Sequence, residues 1–411
     1  MRLNDEERAM LAGESGPVVK AALEHQISVG EFFGAEDFVE VSQAHIMADT
    51  ESLGEAGVAW LESLAAQPIP HRLVRIPTIT DPRGTDFSKA HLLGQTGGML
   101  SLERRTIEAF VRLGVTMTDT CINYQTIMAP VLGEHVAFGD TGVVIYSNSV
   151  CGARSNFEGG PSALSAGLTG RVPRYGFHLD RHRRANLRVR VHAAPRSLNE
   201  WGALGGWIGR RAGNYWRVPW IEGIESVPGS DALKHFGAAM ASFGSSALFH
   251  LAGITPEARI DKALEPEAGA ERVEVTAADV SALQAAYRSG DDIDVVVFSA
   301  PQLSLIELRD LAALCCGRTF SRPLLAVTSP QVKPDADRMG YTAQIEAAGG
   351  TVFAGMCFYQ SYAREIAEAR GWKRLATNSA KMVNILGGYG YVPMLASMED
   401  CVSAAQTGRL P

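Results

Sequence analysis

From about residue 270 to the C-terminus, extended apolar runs and helical repeats take turns. ERVEVT is followed by TAADVSALQAAYRSG, DIDVVVFSA by SLIELRDLAALCCG, and PLLAVTS by a helical stretch after Pro334 and then TVFAGM. Strands that alternate with helices of this length need crossover connections. They assemble into a layered α/β sheet, mostly parallel. In such a sheet the residues just past each strand's carboxyl end line the ligand crevice. Four stretches of that kind stand out: DTCINYQ (119–125), SNSVCGARSNFEGG (147–160), SAPQLS (299–304) and GMCFYQ (355–360).

The N-terminal part is less regular. Helical spacing predicts helices over 6–26, over 50–66 behind a cap at Asp49 or Thr50, and over 101–114 ending at Gly114. RLVRIPT (72–78), GVVIY (142–146) and RANLRVRVHA read as strands, and NEWGALGGWIGRRAG as a buried helix. The Gly- and Ala-rich stretch 229–267 has no clear period, and a boundary is expected near 268, dividing 1–268 from 269–411. With 46% hydrophobic and 20% charged residues and a net charge of -7, the chain has a real core and no basic face for nucleic acid or an anionic membrane. No apolar run reaches the length of a membrane span, and MRLNDEERAM is too charged for a signal peptide, so the cytoplasm is the expected compartment.

None of the six cysteines forms a C-x-x-C pair, which leaves small buried residues or ligands assembled from distant loops. Cys121 and Cys357 lie in two of the four strand-end stretches. In the third stretch, Arg154 offers the planar fork that grips a carboxylate, against the plainer reading of an ion pair with Glu158. Asn378, Ser379 and Lys381 follow a strand. His135 and His178 are acid–base candidates, though lone histidines more often just satisfy hydrogen bonds. No P-loop, dinucleotide fingerprint or nucleophile elbow is present.

GEHVAFGDTGVVIYSNSVCGARSNFEGGPSALSAGLTGRVPRYGFHLD resembles the catalytic part of aconitase X. So do LNDEERAMLAGESGPVVKAALE, RIPTITDPRGTDF, TNSAK (377–381) and MEDCVSAAQTGR, and the similarity runs nearly end to end. The resemblance implies an aconitase-like α/β core that holds an iron–sulfur cluster on cysteines from separated loops, two of them matching Cys121 and Cys357. A third family cysteine sits in a G-C-P-H stretch that reads Ser299, Ala300, Pro301, Gln302 here. Cys151 could replace it, the cluster could be smaller with a ligand other than cysteine, or the cluster could be lost. The family also uses a small swivelling domain, fused or separate, which supplies a serine base. The resemblance covers only the large part, so a small partner subunit carrying that domain is expected.

The wording around 140–158 is closest to the members that dehydrate cis-3-hydroxy-L-proline. Mevalonate 5-phosphate dehydratases are the second choice, and a non-catalytic paralogue is the rival. On this reading Ser149, Arg154 and Lys381 carry catalysis, with Arg154 on the substrate carboxylate. Tyr124, Asn148, Ser155, Asn156 and Ser379 hold the small hydroxy acid. Asn148, Ser149 and Asn156 face its ring nitrogen or hydroxyl.

Overall fold

A computed structural model describes all 411 residues. The alternating C-terminal part forms a five-stranded, all-parallel sheet in the order Gly350–Ala354, Leu324–Thr328, Val295–Leu303, Arg374–Thr377, Val392–Leu395. Its central strand is buried along its whole length, which is why it opens on the unbroken apolar run VVVF rather than alternating, and its far end buries Ser299 and Gln302. A four-stranded parallel sheet runs His250–Leu251, Pro219–Glu222, Leu187–Val191, Glu271–Val275. The boundary expected near 268 falls just before its last strand. A smaller parallel sheet joins Thr78–Thr80, Ala44–Ile46 and Ala137–Phe138, and Phe38–Glu40 pairs antiparallel with Arg171–Pro173. The architecture is a layered α/β fold with mostly parallel sheets.

Several local expectations need correction. The helix over 6–26 is two helices, Asp5–Ala12 and Pro17–Phe32, separated where Gly13 and Gly16 take positive φ. The strand expected at 72–78 begins only at Thr78. GVVIY is not a strand: Thr141–Tyr146 is a helix capped by Asp140, continued by a π-helical turn over Ser147–Cys151. A short, wholly apolar run fits a buried helix as well as a buried strand. The 229–267 stretch contains the helix Ser230–Gly244, which packs on Leu198–Ala212. Their glycines permit the contact, since a Cβ on Gly205 would lie 2.1 Å from the Phe236 carbonyl oxygen. By contrast, the helix Thr50–Ala65 starts as expected, with Asp49 accepting from the Ser52 N–H at 2.8 Å.

The small sheet and the five-stranded sheet meet at their carboxyl ends. The Arg83 N–H donates to the Gly355 carbonyl at 2.9 Å, and the Cys357 N–H to the Arg83 carbonyl at 3.2 Å. The segment 116–120 runs beside Thr78–Thr80 through bonds from Thr116 and Thr120 to Thr78 and Thr80. The loops that leave both sheets therefore face one another.

Candidate active site

Gln302 organises this meeting point. Its side-chain amide donates to the carbonyls of Asp119 and Met356, at 3.1 and 3.2 Å, in the two segments that carry Cys121 and Cys357. Its Oε1 accepts from the Cys121 N–H at 3.3 Å, and its own N–H points at the Cys121 sulfur from 3.4 Å. Ser299 Oγ lies 4.0 Å from the Cys357 sulfur and accepts from the Phe358 N–H. Cys121 and Cys357, far apart in sequence, thus flank the same strand end, and both are buried. Asp119, Ala300 and Tyr362 here hold φ between 47° and 61°. That region is costly for Ala and Tyr, and such backbone collects at functional sites.

Beside the thiols lies a buried charge pair. Asp140 caps its helix through the N–H groups of Gly142 and Val143 and meets Lys381 Nζ at 3.0 Å. Lys381 also sits 5.6 Å above the Tyr359 ring. Burial works against both charges, but their attraction wins: Asp140 is held below the usual carboxylate range and Lys381 above the usual ammonium range. Ser379 caps the Lys381 helix and donates to the Ala300 carbonyl at 2.7 Å, which ties that helix to the central strand. Asp81 takes the opposite course. Burial and the Asp140 charge push it well above its ordinary value. His45 is 3.6 Å away, and Asp81 Oδ1 has no hydrogen-bond partner. Burial and the same carboxylates raise both thiols, Cys357 to about 12.

Further carboxyls surround this group. Asp119 pairs with Arg83 at 2.9 Å and is raised by burial to about 6. Glu103, bonded to Thr50 at 2.7 Å, is raised by burial to about 7. No three His, Cys, Asp or Glu side chains converge tightly enough to chelate a bare ion. The donor set is two thiols with the Ser299 hydroxyl beside one of them, and Ala300 contributes none. It fits two thiolate ligands of a cluster and no third from this strand.

The stretch 147–156 behaves differently from expectation. Asn148 donates to the carbonyls of Ser155 and Ala247 and accepts from the Ser155 N–H, each at 2.8 Å. Ser149 accepts from the Phe249 N–H. Ser155 accepts from the Phe138 N–H and donates to the Asn156 carbonyl. Asn156 donates to the Tyr175 carbonyl and accepts from the Phe177 N–H and the Tyr215 hydroxyl. These donors are spent on buried backbone, because the π-helical turn and the loop after it leave backbone groups with no ladder of their own.

Arg154 pairs with Asp180 and donates to the His178 carbonyl; its partner is neither a free pocket nor Glu158. Glu158 is instead buried and raised to about 7 by burial, with Oε1 unpartnered. His135 and His178 bond each other through Nδ1 at 2.9 Å and are held neutral, chiefly by burial. Cys151 has Glu134 as its charged neighbour, and its thiol is pushed up to about 11, first by burial. It does not join the other two. Tyr124 stacks on Tyr146 at 3.9 Å and borders Cys121.

The sequence expectations therefore separate into two groups. Cys121, Cys357, Lys381, Ser379 and Tyr124 come together; Asn148, Ser149, Cys151, Arg154, Ser155 and Asn156 serve the neighbouring scaffold. Asp81, Asp140, Gln302 and Arg83 were not anticipated. For Asp140 the available signal was D-T-G ahead of an apolar run, a helix start. Asp81 and Arg83 stand at the turn D-P-R-G.

Family models for aconitase X match the chain along almost its whole length: the first domain over 1–181, the second over 185–285 and the third over 293–407. The chain belongs to the aconitase X family. Among its relatives, the phosphomevalonate dehydratase large subunit of Methanothermobacter thermautotrophicus is 36% identical over 388 residues, 94% of each chain. The cis-3-hydroxy-L-proline dehydratase of Pseudomonas aeruginosa is 30% identical over 422 residues, covering 100% of this chain and 71% of that protein. The crystal structure of Thermococcus kodakaraensis aconitase X in its holo-form superposes with a TM-score of 0.89 at 30% identity, over 98% of this chain and 100% of that one. The first two of these relatives are dehydratases, matched over 94% or more of this chain, and this chain is an enzyme of the same hydro-lyase class. No helix is long and apolar enough to cross a membrane.

Proposed function

We propose that this chain dehydrates cis-3-hydroxy-L-proline to pyrroline-2-carboxylate, acting as the large partner of a small subunit. The observation that carries the substrate choice is the charge balance around the thiols. Both nearby cations are already matched, Lys381 by Asp140 and Arg83 by Asp119. Asp81, Asp49 and Glu103 add buried carboxyls without a cation of their own. A ring ammonium finds hydrogen-bond acceptors there and the single substrate carboxylate falls to Lys381, whereas a phosphate monoester would bring a second anionic group to a wall already rich in carboxyls.

The reaction removes a proton from Cα and hydroxide from the neighbouring carbon. It leaves a carbon–carbon double bond and water, and the resulting enamine tautomerises unaided. An iron–sulfur cluster held by Cys121 and Cys357 would supply a Lewis acid for the departing hydroxyl. Lys381, kept charged by Asp140, is suited to donate a hydrogen bond to substrate oxygen and unsuited to take the Cα proton. That base is assigned to the small subunit, whose counterpart is implied by the large-subunit relatives. Gln302 and Ser379 hold the strand end that carries the thiols' shared wall.

A second reading, dehydration of mevalonate 5-phosphate, is favoured by the 36% identity and matched length of the archaeal large subunit. Anaerobic co-expression with a candidate small subunit, followed by turnover measurements on both substrates, decides between them. Turnover of hydroxyproline alone supports the proposal, and turnover of the phosphate alone replaces it. Turnover of neither overturns both readings and points to a different small hydroxy acid.

A further inference from the structure

The helix Ser230–Gly244 lies in the second aconitase X domain, residues 185–285, which carries neither thiol; Cys121 lies in the first domain and Cys357 in the third. Yet the first turns of this helix reach both sides of the thiol site. Lys234, 1% exposed, has three acceptors for its ammonium: the Gln302 carbonyl at 3.1 Å, Asp231 Oδ1 at 3.2 Å and the Glu307 carboxylate. An ammonium has three N–H donors, so all of them are used. Burial works against its charge, but Glu307 and Asp231 outweigh it and hold Lys234 above the usual ammonium range.

Each acceptor leads back to the site. Gln302 is the residue whose side-chain amide holds the Asp119 and Met356 carbonyls. Asp231 also accepts from Gln125, four residues past Cys121, at 3.0 Å, and from the Ser304 hydroxyl at 2.8 Å. Ser230 adds a bond from Gln125 at 2.7 Å and meets the Tyr146 hydroxyl at 2.9 Å. Glu307 accepts from the Ser304 N–H at 2.9 Å and is braced by His235 at 2.8 Å. A buried ion pair adds little net stability over an apolar pair of similar volume, because both charges lose their water. What this one adds is direction: it fixes where the Gln302 backbone stands.

We infer that Lys234 is a positioning residue for the thiol site. Through Gln302 it sets the spacing of the segments 119–121 and 356–357, so the second domain shapes a centre to which it contributes no ligand. This role deepens the reading of the thiols as the reaction centre and rests on it, but it shows in the thiols themselves rather than in turnover.

The test treats the metal-free full chain with iodoacetamide and follows the alkylation of each cysteine by peptide mass. Buried thiols react only as their surroundings open, so each rate reports local opening. Lys234→Met combined with Glu307→Gln removes the cation without stranding its carboxylate. It should raise the rates of Cys121 and Cys357 about tenfold, while Cys401, buried in the helix Met398–Thr407, keeps its parental rate. Glu307→Gln alone leaves the Lys234–Gln302 bond in place and should change the two rates by less than about threefold. Asp231→Ala, nearer the surface, releases Lys234 and Gln125 and should raise both rates by about threefold or more; it decides alone if the double variant does not fold. The proposal is overturned if the Cys401 rate rises in step with the other two, or if Cys121 and Cys357 keep their parental rates in the double variant or, failing its folding, in Asp231→Ala.

Discussion

Replacing Asn148 by alanine removes one fully buried side chain that satisfies three backbone groups. The carbonyls of Ser155 and Ala247 lose their donor, and the Ser155 N–H loses its acceptor, all from bonds of 2.8 Å. Each buried group left without a partner costs about 1–2 kcal/mol at the lower end of the usual range. The sum is about 3–6 kcal/mol, a large fraction of the 5–15 kcal/mol or so that holds a domain folded. Guanidinium unfolding should show a lowered midpoint with little change in slope. Turnover per folded molecule should stay within about threefold, since a purely scaffolding side chain touches no reacting atom. A stability within about 1 kcal/mol of the parent, joined to a loss of substrate binding, would refute the reasoning and return the 147–156 stretch to the substrate.

Other outcomes follow from the same geometry. Lys381→Met strands the Asp140 charge in a buried site and should cost about 3–5 kcal/mol, and adding Asp140→Asn should recover part of it in a double-mutant cycle. Arg154→Lys should change stability by less than about 1 kcal/mol, because Asp180 is 86% exposed, and should leave turnover unchanged. Glu158 is raised in the folded state from 4.5 to about 7, so its contribution is fully present below the unfolded value and is lost as pH rises toward 7. Glu158→Gln should flatten that decline by at most about 3 kcal/mol, read from melting temperatures between pH 4.5 and 8.

The regular part of this fold was legible because its signal is periodic. The strands at 295, 324 and 350, and the helices between them, repeat apolar residues at spacings that only one architecture satisfies. Cys357 was legible because it follows a strand of the parallel sheet, whereas Cys121 follows a segment, 116–120, that runs beside Thr78–Thr80 without being a strand of its own. The 147–156 stretch misled for a physical reason. A dense set of Asn, Ser and Arg looks the same whether it faces a ligand or the orphaned backbone of an irregular turn, and only coordinates show which. Asp81 and Asp140 left little trace, since a single carboxylate beside a turn or at a helix start is ordinary. Their importance comes from Lys381 and the two thiols arriving from the far end of the chain.

The central claim is that dehydration takes place where Cys121, Cys357 and Lys381 converge. It is tested most directly by the turnover of cis-3-hydroxy-L-proline by the anaerobically prepared two-subunit complex, with Cys121→Ala and Cys357→Ala compared at equal folded protein. The account predicts a loss of about a hundredfold or more in each variant, with unchanged melting of the remaining fold. Parental turnover in either cysteine variant would contradict it.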